Sequence, residues 1–236
     1  MRQFRIPNSA FRIIMNWNDL YRILHEYYGD IQWWSPEDKL EVVVGSILGQ
    51  NTTWTSVEKA IANLKDAKLF TLKKLANAEP EIVEQLVRPS GYYHLKTIRL
   101  QNLLQFILKK YKTLDKMFLA PLEQLREELL AINGIGPETA DSILLYAGAL
   151  PSFVVDAYTK RIVLRHGWDA DLTPKNKSSR AQYDALWNSF MEQLEPHAPT
   201  MAMLHAYIIE TAKQFCHKSK PQCEGCPLYR FERVNK

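Results

Sequence analysis

The stretch "INGIGPETADSILLYA", Ile132 to Ala147, decides how this chain is read. Gly134 and Gly136 flank one aliphatic residue, and the chain then runs directly into a helix. Glycine adopts backbone angles closed to other residues and lets a backbone come close to a ligand. The helix that follows opens with unpaired N–H groups and the positive end of its dipole, which suit a phosphate oxygen. Upstream, "LEQLREELLAI" is an amphipathic helix, so the segment reads as helix, glycine turn, helix. Alone, such a turn reads more readily as a plain helical corner with a glycine cap. A carboxylate at its exit, Glu138, needs a further explanation.

Working outward, the rest of the chain is helical too. "SPEDKLEVVVGSILGQ" opens with a helix-start signal, Ser35 as cap and Pro36 in the first turn. "TWTSVEKAIANLKDA" places Val57, Ala60, Ile61 and Leu64 at spacings of three and four. "GYYHLKTIRLQNLLQFILKKY" is a long amphipathic helix after a Pro-Ser-Gly turn, and Pro199 to Phe215 reads as a late helix. "TPKNKSSRAQ", Thr173 to Gln182, reads as an exposed connector. No strand alternation, internal repeat or low-complexity tract interrupts the pattern, so an all-α fold is expected.

With 236 residues, 46% of them hydrophobic and 24% charged, the composition is that of a globular protein with a substantial core. No apolar run is long enough to span a membrane, and the basic amino terminus lacks the apolar core of a signal peptide. A cytoplasmic monomer is expected, nucleoid-associated if the source is bacterial or archaeal. The net charge of +4 permits a polyanionic partner without requiring one. All three cysteines, Cys216, Cys223 and Cys226, fall within eleven residues. An odd, clustered set in such a chain argues for metal rather than disulfides.

Twenty residues past Gly136, "FVVDAYTKR" delivers Asp156 from an apolar run to the start of another helix. Here the sequence resembles the endonuclease III superfamily of DNA glycosylases, the family with a helix-hairpin-helix, a Gly/Pro-rich loop and an essential aspartate. The matching segments are "GSILGQNT", "VRPSGYYHLKTIRL", "INGIGPETADSILLYAGALPSFVVDAYTKR" and "CHKSKPQCEGCPL", in the family's order. The resemblance covers roughly residues 30 to 230. It implies a two-lobed fold, with a six-helix barrel over residues 36–146 and a second lobe from residues 1–35 plus 147–236. It implies duplex DNA carrying a damaged base as the partner.

By that resemblance Asp156 is the catalytic carboxylate, stabilising the positive charge that builds on the sugar as the base departs. Gln50, with its neighbour Asn51, would fill the gap left by the extruded nucleotide, and Tyr92 would wedge near the opposite strand. Gly134, Gly136 and Thr139 would lie against the DNA backbone. In the family's bifunctional members the hairpin exit carries a lysine that forms a Schiff base. Glu138 stands at that position here and cannot form an imine, so a monofunctional enzyme is expected. The 3-methyladenine branch of the family shares the Trp-Trp pair, the aromatic four residues after the glutamine and the hairpin glutamate. This resemblance makes Trp33, Trp34 and Trp54 pocket walls and Glu138 the floor, suited to a cationic alkylated base. Mismatch or oxidised-base excision, and a non-catalytic DNA-binding module, are the alternatives.

Cys216, Cys223 and Cys226 match the first three ligands of the family's iron–sulfur loop, and Glu232 stands where the fourth cysteine would fall. The readings open at this point are a [4Fe–4S] cluster with an incomplete ligand set, completed by Glu232 or His217; zinc on the three cysteines and His217; or no metal.

Overall fold

The computed structural model describes residues 15–33, 38–168 and 178–229, and these contain twelve α-helices and no strand. α1 (Trp17–Tyr28) is capped by the Asn16 side chain, which accepts from the Asn18 N–H. α2 (Lys39–Leu48) is capped in the same way by Asp38. Ser35 and Pro36, read from the sequence as the start of this helix, lie outside the described residues. α3 (Trp54–Asp66) buries Val57, Ala60, Ile61 and Leu64, the four positions that the spacing marked. α4 (Leu72–Asn77), α5 (Pro80–Val87), a 3₁₀ turn (Arg88–Ser90), α6 (Tyr93–Lys110), α7 (Leu114–Met117) and α8 (Leu122–Leu130) follow with short connections.

After the glycine turn, α9 (Pro137–Ser142) runs straight into a π turn, Ile143–Ala147. α10 (Ala157–His166), α11 (Ser179–Gln193) and α12 (Ala198–Gln214) complete the chain. One part of the expected connector differs. Ser179–Gln182 is the first turn of α11, with the Ser178 hydroxyl accepting from the Ala181 N–H. Paired serines read as loop, but serine is also among the best helix caps.

Two hydrophobic cores divide the molecule. One gathers α2, α3, α6, α8 and α9 around Val43, Ile47, Leu64, Leu104 and Leu129. The other joins α1 to α10, α11 and α12 around Trp17, Phe153, Phe190 and Leu204, so the amino-terminal helix packs with the carboxyl-terminal ones. Phe190 stacks between Trp17 (4.2 Å between ring centroids) and Phe153 (3.9 Å). Aromatic pairs of this kind add about 0.5–1.5 kcal/mol each beyond the area they bury. The π turn lies at the boundary: Tyr146 packs against both cores.

A polar network crosses the same boundary. Arg126 on α8 grips the fully buried Asp141 with two bonds, 2.8 and 3.1 Å. Ser152 and the Tyr183 hydroxyl each donate to Asp141 at 2.7 Å. Tyr183 in turn accepts from the Val155 N–H at 3.4 Å. Four bonds therefore meet one buried carboxylate, the condition under which burying a charge is tolerable. Their consequence is positional, because Val155 immediately precedes Asp156.

Candidate active site

Phe153, Val154 and Val155 are buried, and this apolar run anchors an extended segment that ends at Asp156 (φ −82°, ψ −175°). Asp156 caps α10: one oxygen accepts from the Thr159 N–H at 2.7 Å. The other oxygen lies 3.6 Å from Nε2 of His205, which comes from α12 and is 5% exposed. The Tyr146 hydroxyl stands 2.5 Å from Nδ1 of the same ring. Burial pushes the Asp156 carboxyl up, but His205 and the Thr159 N–H outweigh it and hold the group below its usual range. Asp156 is thus both a helix cap and an ionised carboxylate, with one oxygen left for other work.

Glu138, in the first turn of α9, is open to solvent yet closely surrounded by protein, as a residue in a cleft would be. That desolvation, and then the charge of Asp156, push its carboxyl up, while Lys160 and His205 pull it back. Glu138 and Asp156 are therefore close enough to feel each other and are driven apart in acidity. Trp33 is half-buried, with its indole N–H beside the Tyr146 hydroxyl and Lys213 5.7 Å from its ring. Trp33 thus joins the Asp156 group through Tyr146. Trp54 opens α3 at 41% exposure. Trp34 lies outside the described residues.

The second assembly is built around Gln50. Its amide donates to the Thr139 hydroxyl (3.1 Å) and the Gly134 carbonyl (3.3 Å), and its oxygen accepts from Arg99. Gln50 is thereby seated on the hairpin. Thr139 is buried and spends its hydroxyl on this bond, so its side chain supports Gln50. Of the two glycines, only Gly134 needs its freedom: its φ is +90°, and a Cβ there would overlap the Arg99 side chain. Gly136 is extended (φ −88°, ψ 172°), and a Cβ there would meet nothing within 4 Å. Asn51 and Tyr92 both hold left-handed backbone, φ 54° and 47°, a strained state for a side-chain-bearing residue. Tyr92 is 74% exposed.

Four residues here escaped the sequence reading: Arg99, Lys96, Tyr146 and His205. Lys96 is 2% exposed, and its ammonium donates to the carbonyls of Leu48 (2.7 Å) and Ser90 (2.6 Å). One buried cation therefore ties the end of α2, two residues before Gln50, to the turn two residues before Tyr92. Burial, and then Arg99, lower its pKa to about 8. A signal existed: Lys96 falls on the apolar stripe of α6, in register with Leu100, Leu103, Leu104 and Ile107. His205, inside the apolar run of α12, carries the same kind of signal.

Cys216, Cys223 and Cys226 line one small surface pocket with Ile162, Phe215 and Leu228. Their chemistry is right for a thiolate-held metal, but their arrangement does not fit a complete site. Cys216 is engaged by Arg165 at 3.2 Å, and Arg165 also takes the His217 carbonyl. Glu232 lies outside the described residues. Among the described residues no group of three or more His, Cys, Asp or Glu is placed to hold an ion.

Comparison with known proteins agrees with this geometry. Over 214 residues, the chain is 44% identical to a Methanocaldococcus jannaschii protein provisionally assigned as a DNA repair glycosylase, covering 90% of this chain and 93% of that one. A crystal structure of the H. pylori 3-methyladenine DNA glycosylase, bound to 1,N6-ethenoadenine, superposes with a TM-score of 0.65 at 30% identity, over 84% of this chain and 97% of the other. An endonuclease III–DNA complex shares the fold at 22% identity and a TM-score of 0.73, covering 92% and 93% of the two chains. No described helix is long and apolar enough to cross a membrane. Residues 44–189 match the HhH-GPD superfamily of base excision DNA repair proteins, and the chain belongs to that family as a DNA glycosylase.

Proposed function

We propose that this protein is a monofunctional glycosylase that hydrolyses the N-glycosidic bond of alkylated bases, of the 3-methyladenine type, in duplex DNA. The observation that carries the reading is the pairing of Asp156 with Glu138. A buried, ionised carboxylate stands beside a second carboxylate at the hairpin exit, where a lysine nucleophile would be needed for strand cleavage.

The chemistry follows from charge. A purine alkylated on a ring nitrogen is cationic and leaves as a neutral molecule, so it needs little acid assistance. As the bond stretches, positive charge moves onto the sugar, and the free oxygen of Asp156 is suited to stabilise that charge and orient the attacking water. Trp33, beside the same group, offers a π face to a cationic base, and Glu138 offers an opposite charge. Before this, the nucleotide must leave the stack, at a cost of a few kcal/mol. Gln50 and Tyr92, with Asn51 holding the turn and Gly134 and Gly136 bringing the backbone close, are suited to occupy the space it vacates. No step runs through the cysteine loop.

Incubation with methylated genomic DNA, followed by identification of the freed bases, tests the reading. Release of 3-methyladenine is expected; release of only mispaired thymine or adenine from a panel of defined duplexes overturns it. Asp156→Asn keeps a capping side chain but loses the charge. It should slow excision by about 100- to 1,000-fold while an abasic-site analogue still binds. An amine whose charge reaches this site is Lys160, packed 5.2 Å from the Tyr183 ring. Borohydride trapping of wild-type protein on DNA would overturn the monofunctional reading, whichever lysine formed the imine.

A further inference from the structure

The Asp156 carboxylate has an unusual neighbour. His205 is reached from α12, across the second core from the loop that carries Asp156, and it packs edge-on against Phe153 (6.2 Å between centroids). Its ring is nearly closed to solvent, and Nε2 has no hydrogen-bond partner at ordinary distance. That nitrogen is directed at the free oxygen of Asp156, 3.6 Å away. The opposite nitrogen is occupied by Tyr146, from the π turn at the boundary of the two cores.

Asp156 and Tyr146 together assign the proton of a neutral ring. An oxygen anion 3.6 Å from Nε2 favours the tautomer with its proton on that nitrogen, and Nδ1 then accepts from the Tyr146 O–H. Nε2 is then left as an N–H facing the carboxylate. Histidines that orient a reacting group are commonly held in one tautomer by a partner on the far nitrogen. The other charged groups facing this centre are Glu138 on α9 and Lys160 on α10, of opposite sign.

We infer that His205, locked by Tyr146, is a positioning residue for the reaction: its Nε2–H keeps the free oxygen of Asp156 ionised and aimed, while Thr159 holds the other oxygen. The inference rests on the reading of Asp156 as the catalytic carboxylate. It adds a requirement that this reading alone does not contain, namely that a residue with no contact to the DNA sets the acid limb of the rate profile.

The test is the single-turnover excision rate against pH, on a duplex carrying one alkylated adenine, for wild type, His205→Leu, His205→Gln and Tyr146→Phe. His205→Leu should lower the neutral-pH rate about tenfold and move the acid limb upward by about one pH unit. His205→Gln, which restores a donor, should recover part of the rate and of the limb. Tyr146→Phe keeps the packing and frees Nδ1, so it should lower the rate about threefold, with a smaller shift of the limb. In all three variants, affinity for a duplex with an abasic-site analogue should stay within about twofold of wild type. A purely structural role would weaken stability and binding together and leave the limb in place, and that result overturns the inference. If His205→Leu does not fold, Tyr146→Phe decides alone: an unmoved limb and an unchanged rate refute it. Should Asp156→Asn prove as active as wild type, the reading of Asp156 fails first, which separates the two failures.

Discussion

Asp156 sits on relaxed, extended backbone, with one oxygen tied to an N–H and the other facing a buried histidine. Asn51 and Tyr92 sit on left-handed backbone, and Tyr92 stands well out into solvent. The two regions meet different demands. A carboxylate that must stay charged inside protein needs compensating donors, and the cost of holding it is electrostatic. On the proposed function, a side chain that enters the duplex needs a rigid protrusion, and the cost of holding it lies in backbone strain, roughly 1–3 kcal/mol per residue. Each region is held from behind: the first by the Asp141 network and His205, the second by Arg99 and Lys96.

The sharpest way to break the first region is Asp141→Ala. It takes from the Arg126 guanidinium, whose side chain is only 14% exposed, its two-bonded carboxylate partner and leaves only Asp184 at 4.0 Å, and it frees the hydroxyls of Ser152 and Tyr183. Removing one partner of a buried pair costs about 3–5 kcal/mol, which for a chain of this size lowers Tm by roughly 10 °C. Excision should fall as well, because Tyr183 no longer fixes the Val155 N–H. A Tm within about 2 °C of wild type would show that the network is not what seats the loop that carries Asp156.

Gly134→Ala attacks the second region. The methyl group would overlap Arg99 on a backbone at φ +90°, so either the turn or Arg99 must move, and Gln50 loses its seat. A cost of about 1–3 kcal/mol is expected. Affinity for duplex DNA should fall more than the single-turnover rate of saturated enzyme. Gly136→Ala, where no neighbour is within 4 Å, should cost less than Gly134→Ala. Equal effects at both glycines would mean that their backbone geometry is not what distinguishes them.

The two regions were not equally legible in the sequence. Helices came through because their apolar periodicity is local: Val57, Ala60, Ile61 and Leu64 needed only each other to be recognised. Asp156 was visible because its segment, an apolar run delivering an acid to a helix start, resembles that of a known family; the local pattern alone reads as readily as a helix cap. What stayed hidden was whatever depends on partners distant in the chain. His205 meets Asp156 across 49 positions, and Lys96 meets Leu48 across 48. A polar residue on an apolar stripe announces that a partner exists without saying which. Nor could spacing tell that only one glycine of the turn uses its conformational freedom, since that depends on where Arg99 lies.

Lys96 gives the smallest effect and the cleanest one. It is the cation of the loop region as His205 is the donor of the aspartate region, but its position works against its charge. Buried, and near Arg99, it binds its proton with a pKa of about 8 in the folded protein against 10.5 ordinarily. Between those values the unfolded chain holds the proton and the folded chain does not, so stability rises with pH across the window. From pH 7.5 to 9 the gain attributable to Lys96 should be about 1 kcal/mol. Other groups titrate in the same range, so the comparison is with Lys96→Met, which keeps the packing and removes the charge. Wild type should gain on the variant by that amount as pH rises, measured by urea unfolding at each pH. Parallel curves would mean that Lys96 is solvated in the folded state, and then it could not clamp the Gln50 and Tyr92 loops. The same variant should bind a paired lesion duplex more weakly than wild type, yet approach wild type on a duplex whose target base has no partner. Without the clamp the protrusions lose their fixed spacing, and that spacing matters most when a nucleotide must be driven from an intact stack.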